Sequence, residues 1–126
     1  MGSVQETNKK IVTEFYDLII NQKDFEAASP YIGTRYKQHN PLVKDYPEGL
    51  KEFIAFLKTN FPEARSEIKR VIAEDDYVVL HVHSVRSEKL ERAIIEIFRL
   101  ENGKIEEHWD VIQQIPETSA NLNGMF

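Results

Sequence analysis

Between Ser3 and Lys23 the apolar residues Ile11, Val12, Phe15, Leu18 and Ile19 recur at helical spacing, behind a capping box written Ser3-Val4-Gln5-Glu6 with Thr7 as a competing cap. The pattern predicts a long amphipathic helix ending between Asn21 and Lys23. Asp24 can cap a short second helix through Ala28, after which Ser29-Pro30 turns the chain out of helical geometry. Tyr31, Ile32 and Gly33 then read as a corner, and residues 36–41 as extended. Leu50, Phe53, Ile54, Leu57 and Phe61 share the stripe of a third helix, opened by Pro47 and stopped by Pro62. After that the period changes to two. β-Branched alternation over residues 68–72, 77–86, 92–100 and 105–114, with turn signals at Asp75-Asp76 and Asn102-Gly103, predicts four strands. Their connections are too short for crossover helices, so the sheet is expected to be antiparallel. Helices followed by a strand meander give an α+β fold, with the helices on one face of a curved sheet. Residues 1–126 read as one domain, whose irregular tail, 116–126, either frays or covers a pocket mouth.

Composition narrows the chemistry. A chain of 126 residues with 41% hydrophobic and 10% aromatic residues can bury a genuine core, so disorder and disulfide scaffolds fit poorly. Having no cysteine, it has no thiol nucleophile and no thiolate metal site. A net charge of -5, with the basic residues scattered, speaks against nucleic acid. No apolar run approaches the roughly 20 residues that cross a bilayer, and the start Met1-Gly2-Ser3-Val4-Gln5-Glu6 carries neither a leader's apolar segment nor the hydroxyl of a myristoylation signal. A soluble, cytoplasmic protein that does not engage membranes is expected.

Strand parity brings the first candidate site. Ile94, Glu96, Phe98 and Leu100 point one way along their strand. On the last strand Glu106, His108, Asp110 and Ile112 share a face, opposite Ile105, Glu107, Trp109 and Val111. A two-residue loop at Asn102-Gly103 would pair Glu96 with Trp109 and separate the two carboxylates. A three-residue loop, 101–103, with Gly103 left-handed in a bulge, would pair Glu96 with His108 and Ile94 with Asp110. The second is favoured, since it gathers Glu96, His108 and Asp110 beside Ile94, Phe98 and Ile112. Carboxylates in apolar walls gain basicity and suit general acid or base work. The competing reading is an ordinary cross-strand pair on a wet face.

The other histidines are less specific. His81-Val82-His83 puts two imidazoles on one side of a strand, and with His39 or His108 as a third ligand it could hold zinc or another divalent metal. Such histidines are more often hydrogen-bonded or solvent-facing, so no metal is expected. His39-Asn40, before Pro41, is by itself an Asx-type turn.

The segments Tyr36-Lys37-Gln38-His39-Asn40-Pro41 and Glu96-Ile97-Phe98-Arg99-Leu100-Glu101-Asn102-Gly103-Lys104-Ile105-Glu106-Glu107-His108-Trp109-Asp110-Val111-Ile112-Gln113 resemble the signature of SnoaL-like proteins, the polyketide cyclase branch of the NTF2-like superfamily. The resemblance implies a cone-shaped α+β barrel, with a strongly bent antiparallel sheet around three helices, a pocket at the wide end and dimers formed through the sheet. It implies that the aspartate at position 110 is the acid/base of an intramolecular aldol condensation run without metal or organic cofactor. A histidine of that family's site is replaced here by Glu96, and His39 and Asn40 match a pocket-lining motif.

The resulting expectation is a cofactor-free enzyme acting on a small apolar carbonyl compound by proton abstraction, leading to aldol closure or isomerisation. Asp110, Glu96 and His39 are its candidate catalytic residues, and Asn40, His108, His83, Phe98, Ile94, Ile112 and Tyr16 its ligand contacts. A non-catalytic ligand-binding or scaffold domain is the main alternative, and a histidine-based metalloenzyme a further one. Trp109, Ile95, Ile97 and Val111 make an apolar face that a second copy would cover, unless that face is itself the core under the helices.

Overall fold

In the computed structural model, which describes residues 3–126, helix α1 (Val4–Tyr16) starts at Ser3, whose side chain accepts from the Glu6 amide. Met1 and Gly2, the first residues of the start at 1–6, lie outside the described residues. Val12, Phe15 and Tyr16 are its buried stripe, and the chain continues through a π turn, Asp17–Asn21, that buries Ile19. The short α2 (Phe25–Ala28) is capped by Asp24. After the 3₁₀ turn Ser29–Tyr31 comes strand β1 (Ile32–Gln38), then α3 (Tyr46–Asn60) with Pro47 in its first turn. Strands β2 (Arg65–Glu74), β3 (Tyr77–Ser87), β4 (Leu90–Glu101) and β5 (Lys104–Gln114) form the meander. Among the described residues no helix is long and apolar enough to cross a membrane.

The sheet runs β1-β5-β4-β3-β2, so α3 carries the chain from one edge to the other. β2 to β5 pair antiparallel as expected, but β1 joins the edge parallel to β5. Ile32 and Gly33 are therefore strand, not a corner. Parallel neighbours need a long connection, and the whole chain between β1 and β5 supplies it. The α+β class with three α-helices on one face of a curled sheet is as anticipated.

Tyr36, Val78, Leu80, Val82, Ile94, Phe98, Leu100 and Ile105 project from the sheet onto Val12, Phe15, Leu50 and Ile54. Ile105, assigned by simple alternation to the opposite face, is fully buried here. The reason is the β4–β5 register. Asn102 and Gly103 both have positive φ (49° and 76°) and form a two-residue turn pairing Glu101 with Lys104 and Leu100 with Ile105. A bulge next to Arg99 and Leu100 then absorbs one residue, so that Arg99 pairs with Glu107, Phe98 with His108 and Glu96 with Asp110. The expected three-residue loop is thus corrected, because the extra residue sits in the strand and not in the turn. Gly33 makes room for it, since a Cβ there would lie 1.3 Å from Glu106 Oε1.

The tail does not cover the pocket mouth. Its last residue, Phe126, packs against His81 and His83, with ring centroids 5.4 and 4.7 Å apart, on the sheet face away from the helices.

Residues 39–45, which join β1 to α3, are pinned at both ends. Asp45 spends its carboxylate on the Gln38 amide at 2.7 Å, and Gly49 in α3 lies so close that a Cβ would be 1.9 Å from the Lys44 carbonyl oxygen. Gly49→Ala must therefore push backbone aside. The expected cost is about 1–3 kcal/mol of stability, read as a lowered midpoint in denaturant titration.

Candidate active site

Strand alternation at the end of β1 sends Tyr36, Gln38 and Asn40 inward and His39 outward. The inward side chains meet those of β4 and β5 at one end of a cavity of about 500 Å³, closed on the helix side by Tyr16, Ile19, Leu50, Phe53 and Leu57. Glu96, His108 and Asp110 stand together there. Their ligand atoms lie within 4.8 Å of one another, the one group of this kind among the described residues.

Every polar group in this cluster is held. Tyr16 donates its hydroxyl to Glu96 Oε2 at 2.5 Å, and His108 Nε2 lies 2.6 Å from Glu96 Oε1. His108 Nδ1 is 2.6 Å from Gln38 Oε1, which also accepts from the His39 and Asn40 amides. Those two backbone donors fix the amide's orientation, so Nδ1 must carry a proton. One further proton then belongs to the His108 Nε2–Glu96 Oε1 contact, as imidazolium with carboxylate or as imidazole with carboxylic acid.

Asp110 is served by Asn40, whose Nδ2 donates to both carboxylate oxygens at 3.1 and 3.0 Å. Asn40 Oδ1 accepts from the Leu42 amide, so its orientation is fixed as well. The Asx-type turn and the contact to the site are thus one arrangement. Only 9% of the Asp110 side chain is exposed, and His108 Nε2 is 3.8 Å from its Oδ2. Burial pushes the Asp110 carboxyl above the usual range and the Glu96 charge adds to this, against smaller lowering effects from Asn40 and His108. Burial and Glu96 also hold the Tyr16 hydroxyl well above its ordinary value, so it stays a donor.

Tyr16, Ile94, Phe98 and Ile112 line the cavity with Asn40 and His108, as the sequence suggested. His39 and His83 are the corrections. His39 stacks on Trp109 with planes 3° apart and reaches Glu107 at 2.7 Å, on the outer face of the sheet. His83 is also on that face, 2.7 Å from Glu91. His81 bonds Arg70, and His108 opens to the opposite side of the sheet, so the three do not converge on a metal. Gln38, Tyr36, Arg86 and Arg92 line the cavity without having been singled out. Parity would have found them: Gln38 and Tyr36 are in step with Asn40, and Arg92 is in step with Ile94 and Glu96.

A family model described as SnoaL-like polyketide cyclase matches residues 10–119. No curated protein gives a match. Among solved structures, TsrD from Streptomyces laurentii is 18% identical, with a TM-score of 0.75 over 88% of this chain and 91% of its own. A cystatin-fold protein from Novosphingobium aromaticivorans is 17% identical, with a TM-score of 0.74 over 82% and 97%. These likenesses concern the fold.

Proposed function

The chain belongs to the SnoaL-like polyketide cyclase family, and from that premise we propose that it is a small-molecule cyclase or isomerase in which Asp110 removes a proton next to a carbonyl. The observation that carries this reading is a nearly buried carboxylate of raised basicity, gripped by one neutral donor and facing a cavity large enough for a guest. A scaffold has no use for such a group, because burying it costs stability.

Asp110 takes the proton as the C–H bond breaks. Negative charge develops on the carbonyl oxygen, and the proton held between His108 and Glu96 stabilises it. In aldol closure the enolate carbon forms a bond to a second carbonyl carbon, whose oxygen takes the proton. In isomerisation Asp110 returns its proton to a different carbon. Asn40 holds the base and Tyr16 holds Glu96. The chemistry asks for no cofactor, and a cytoplasmic setting suits it. The test is deuterium uptake from D₂O at the α-carbon of small apolar ketones, with and without a carboxylate at the far end, followed by mass spectrometry; no uptake above the buffer rate for any of them removes the assignment.

The outer sheet face supports a homodimer. Trp109, Ile97, Ile95 and Val111 stand outside the core, with Ile95 40% and Val111 73% exposed. An exposed apolar face of this kind is suited to burial against a two-fold partner. Val111→Glu, which touches no core contact, is expected to give a folded monomer by sedimentation velocity. A wild-type protein that already sediments as a monomer rules the interface out.

A further inference from the structure

Arg92 and Arg86 line the same cavity as Asp110 and take no part in the network around it. Both are half-buried, and among the described residues neither forms an ion pair. Arg92 has one long contact, from a terminal nitrogen to Ser84 Oγ at 3.5 Å, while its Nε is buried with no partner. Arg86 lies over the Phe61 ring, 5.2 Å from its centroid. Two cations thus share one wall of the chamber with no carboxylate at ion-pair distance, the Glu96 and Asp110 charges reaching Arg92 only from further along the cavity. Burial, then the neighbouring Arg92 charge, works against the charge on Arg86; burial also works against that on Arg92, with Glu96 and Asp110 offsetting part of it. A guanidinium cannot escape by losing its proton, so a half-buried one without an ion pair is fitted to receive an anion.

We propose that Arg92, with Arg86 and Ser84, receives a carboxylate of the substrate, so that the compound deprotonated by Asp110 is a keto acid and not a neutral ketone. This rests on the role given to Asp110 above. Geometry sets the layout of the molecule. Ser84 is the register partner of Arg92, and Arg92, Ile94 and Glu96 are successive inward positions of β4. At about 3.3 Å per residue, positions 92 and 96 are about 13 Å apart along the strand, of which the arginine side chain spans part. Ile94 and Ile112 lie between. The substrate therefore carries an acid group at one end, an apolar ring or chain in the middle and the enolisable carbonyl at the other end. A planar guanidinium fork matches a carboxylate, and such charge-assisted bonds are strong when water is excluded.

Calorimetric titration of the full chain with benzoylbutyrate and with its methyl ester tests the subsite without needing turnover. Wild type is expected to bind the acid about 10- to 100-fold more tightly than the ester. Arg92→Met should erase that difference and leave ester affinity unchanged, with Arg92→Lys retaining part of it and Arg86→Met weakening it. Asp110→Asn should keep the preference, so a preference without deuterium exchange upholds the subsite and defeats only the chemistry. Equal binding of acid and ester by wild type overturns the proposal, as does an Arg92→Met protein, folded by circular dichroism, that keeps the preference. Displacement of benzoylbutyrate by inorganic phosphate at lower concentration than by acetate would assign the subsite to a phosphoryl group and overturn the carboxylate.

Discussion

Asp110→Asn is expected to slow deuterium uptake at the substrate's α-carbon by about 100- to 10,000-fold, the usual contribution of a positioned general base, and at the same time to raise the melting temperature at neutral pH. The two effects have one cause. Burial, then the Glu96 charge, holds the Asp110 carboxyl above the ordinary range in the folded protein. The native state therefore binds this proton more tightly than the unfolded state does, and stability falls as pH rises between the two values. Below the unfolded carboxyl's range the penalty is absent; above the raised folded value it is fully present. Asparagine removes the charge, keeps the volume and can still accept from Asn40. The gain in stability should vanish in acid, which scanning calorimetry at two pH values will show. A variant that is less stable at neutral pH and equally active would mean that Asp110 is a structural carboxylate. Lost activity with gained stability is what a strained functional group predicts.

The elements were legible in the sequence because their periods are strong. Ile11, Val12 and Phe15, or Leu50, Ile54 and Leu57, permit only one helical face, and Ser3, Asp24 and Pro47 mark starts that the structure keeps. What alternation could not reveal was the place of the extra residue in the β4–β5 hairpin. Asn102-Gly103 specifies the turn correctly, but the bulge depends on Gly33, a residue of a strand 70 positions earlier that arrives parallel. Glu96 and Asp110 share a face through a different register from the one favoured. Parity also decides His39 and His83: Gln38 and Asn40 point inward, so His39 cannot, and Val82 pairs with Ile94, so His83 faces out. Arg92 was hidden for another reason. A lone arginine in a strand carries no motif, and its place in the cavity wall without an ion pair becomes visible only in the folded chain.

The pH dependence of exchange offers the second large effect, because two substitutions should move it in opposite directions. Only ionised Asp110 can accept a proton, so the rate rises with pH through its folded pKa. Glu96→Gln removes the charge that helps hold that pKa up. Glutamine can still accept from Tyr16 and donate to a neutral His108 Nε2, so the scaffold of the site survives. The acidic limb should move to lower pH, and the plateau should fall, since a less basic carboxylate is a weaker proton acceptor. Asn40→Asp keeps the oxygen that accepts from the Leu42 amide but replaces the donors at 3.1 and 3.0 Å from Asp110 with a second carboxylate. A lost hydrogen bond to the charged form and a new like charge both raise the pKa, so the limb should move to higher pH. Rate profiles of the three proteins on one ketone decide the matter. If both variants leave the limb where it is in the wild type, the titrating base is some group other than Asp110. If both shift it the same way, the coupling between Glu96, Asp110 and Asn40 has the wrong sign, and the network cannot work as a tuned base.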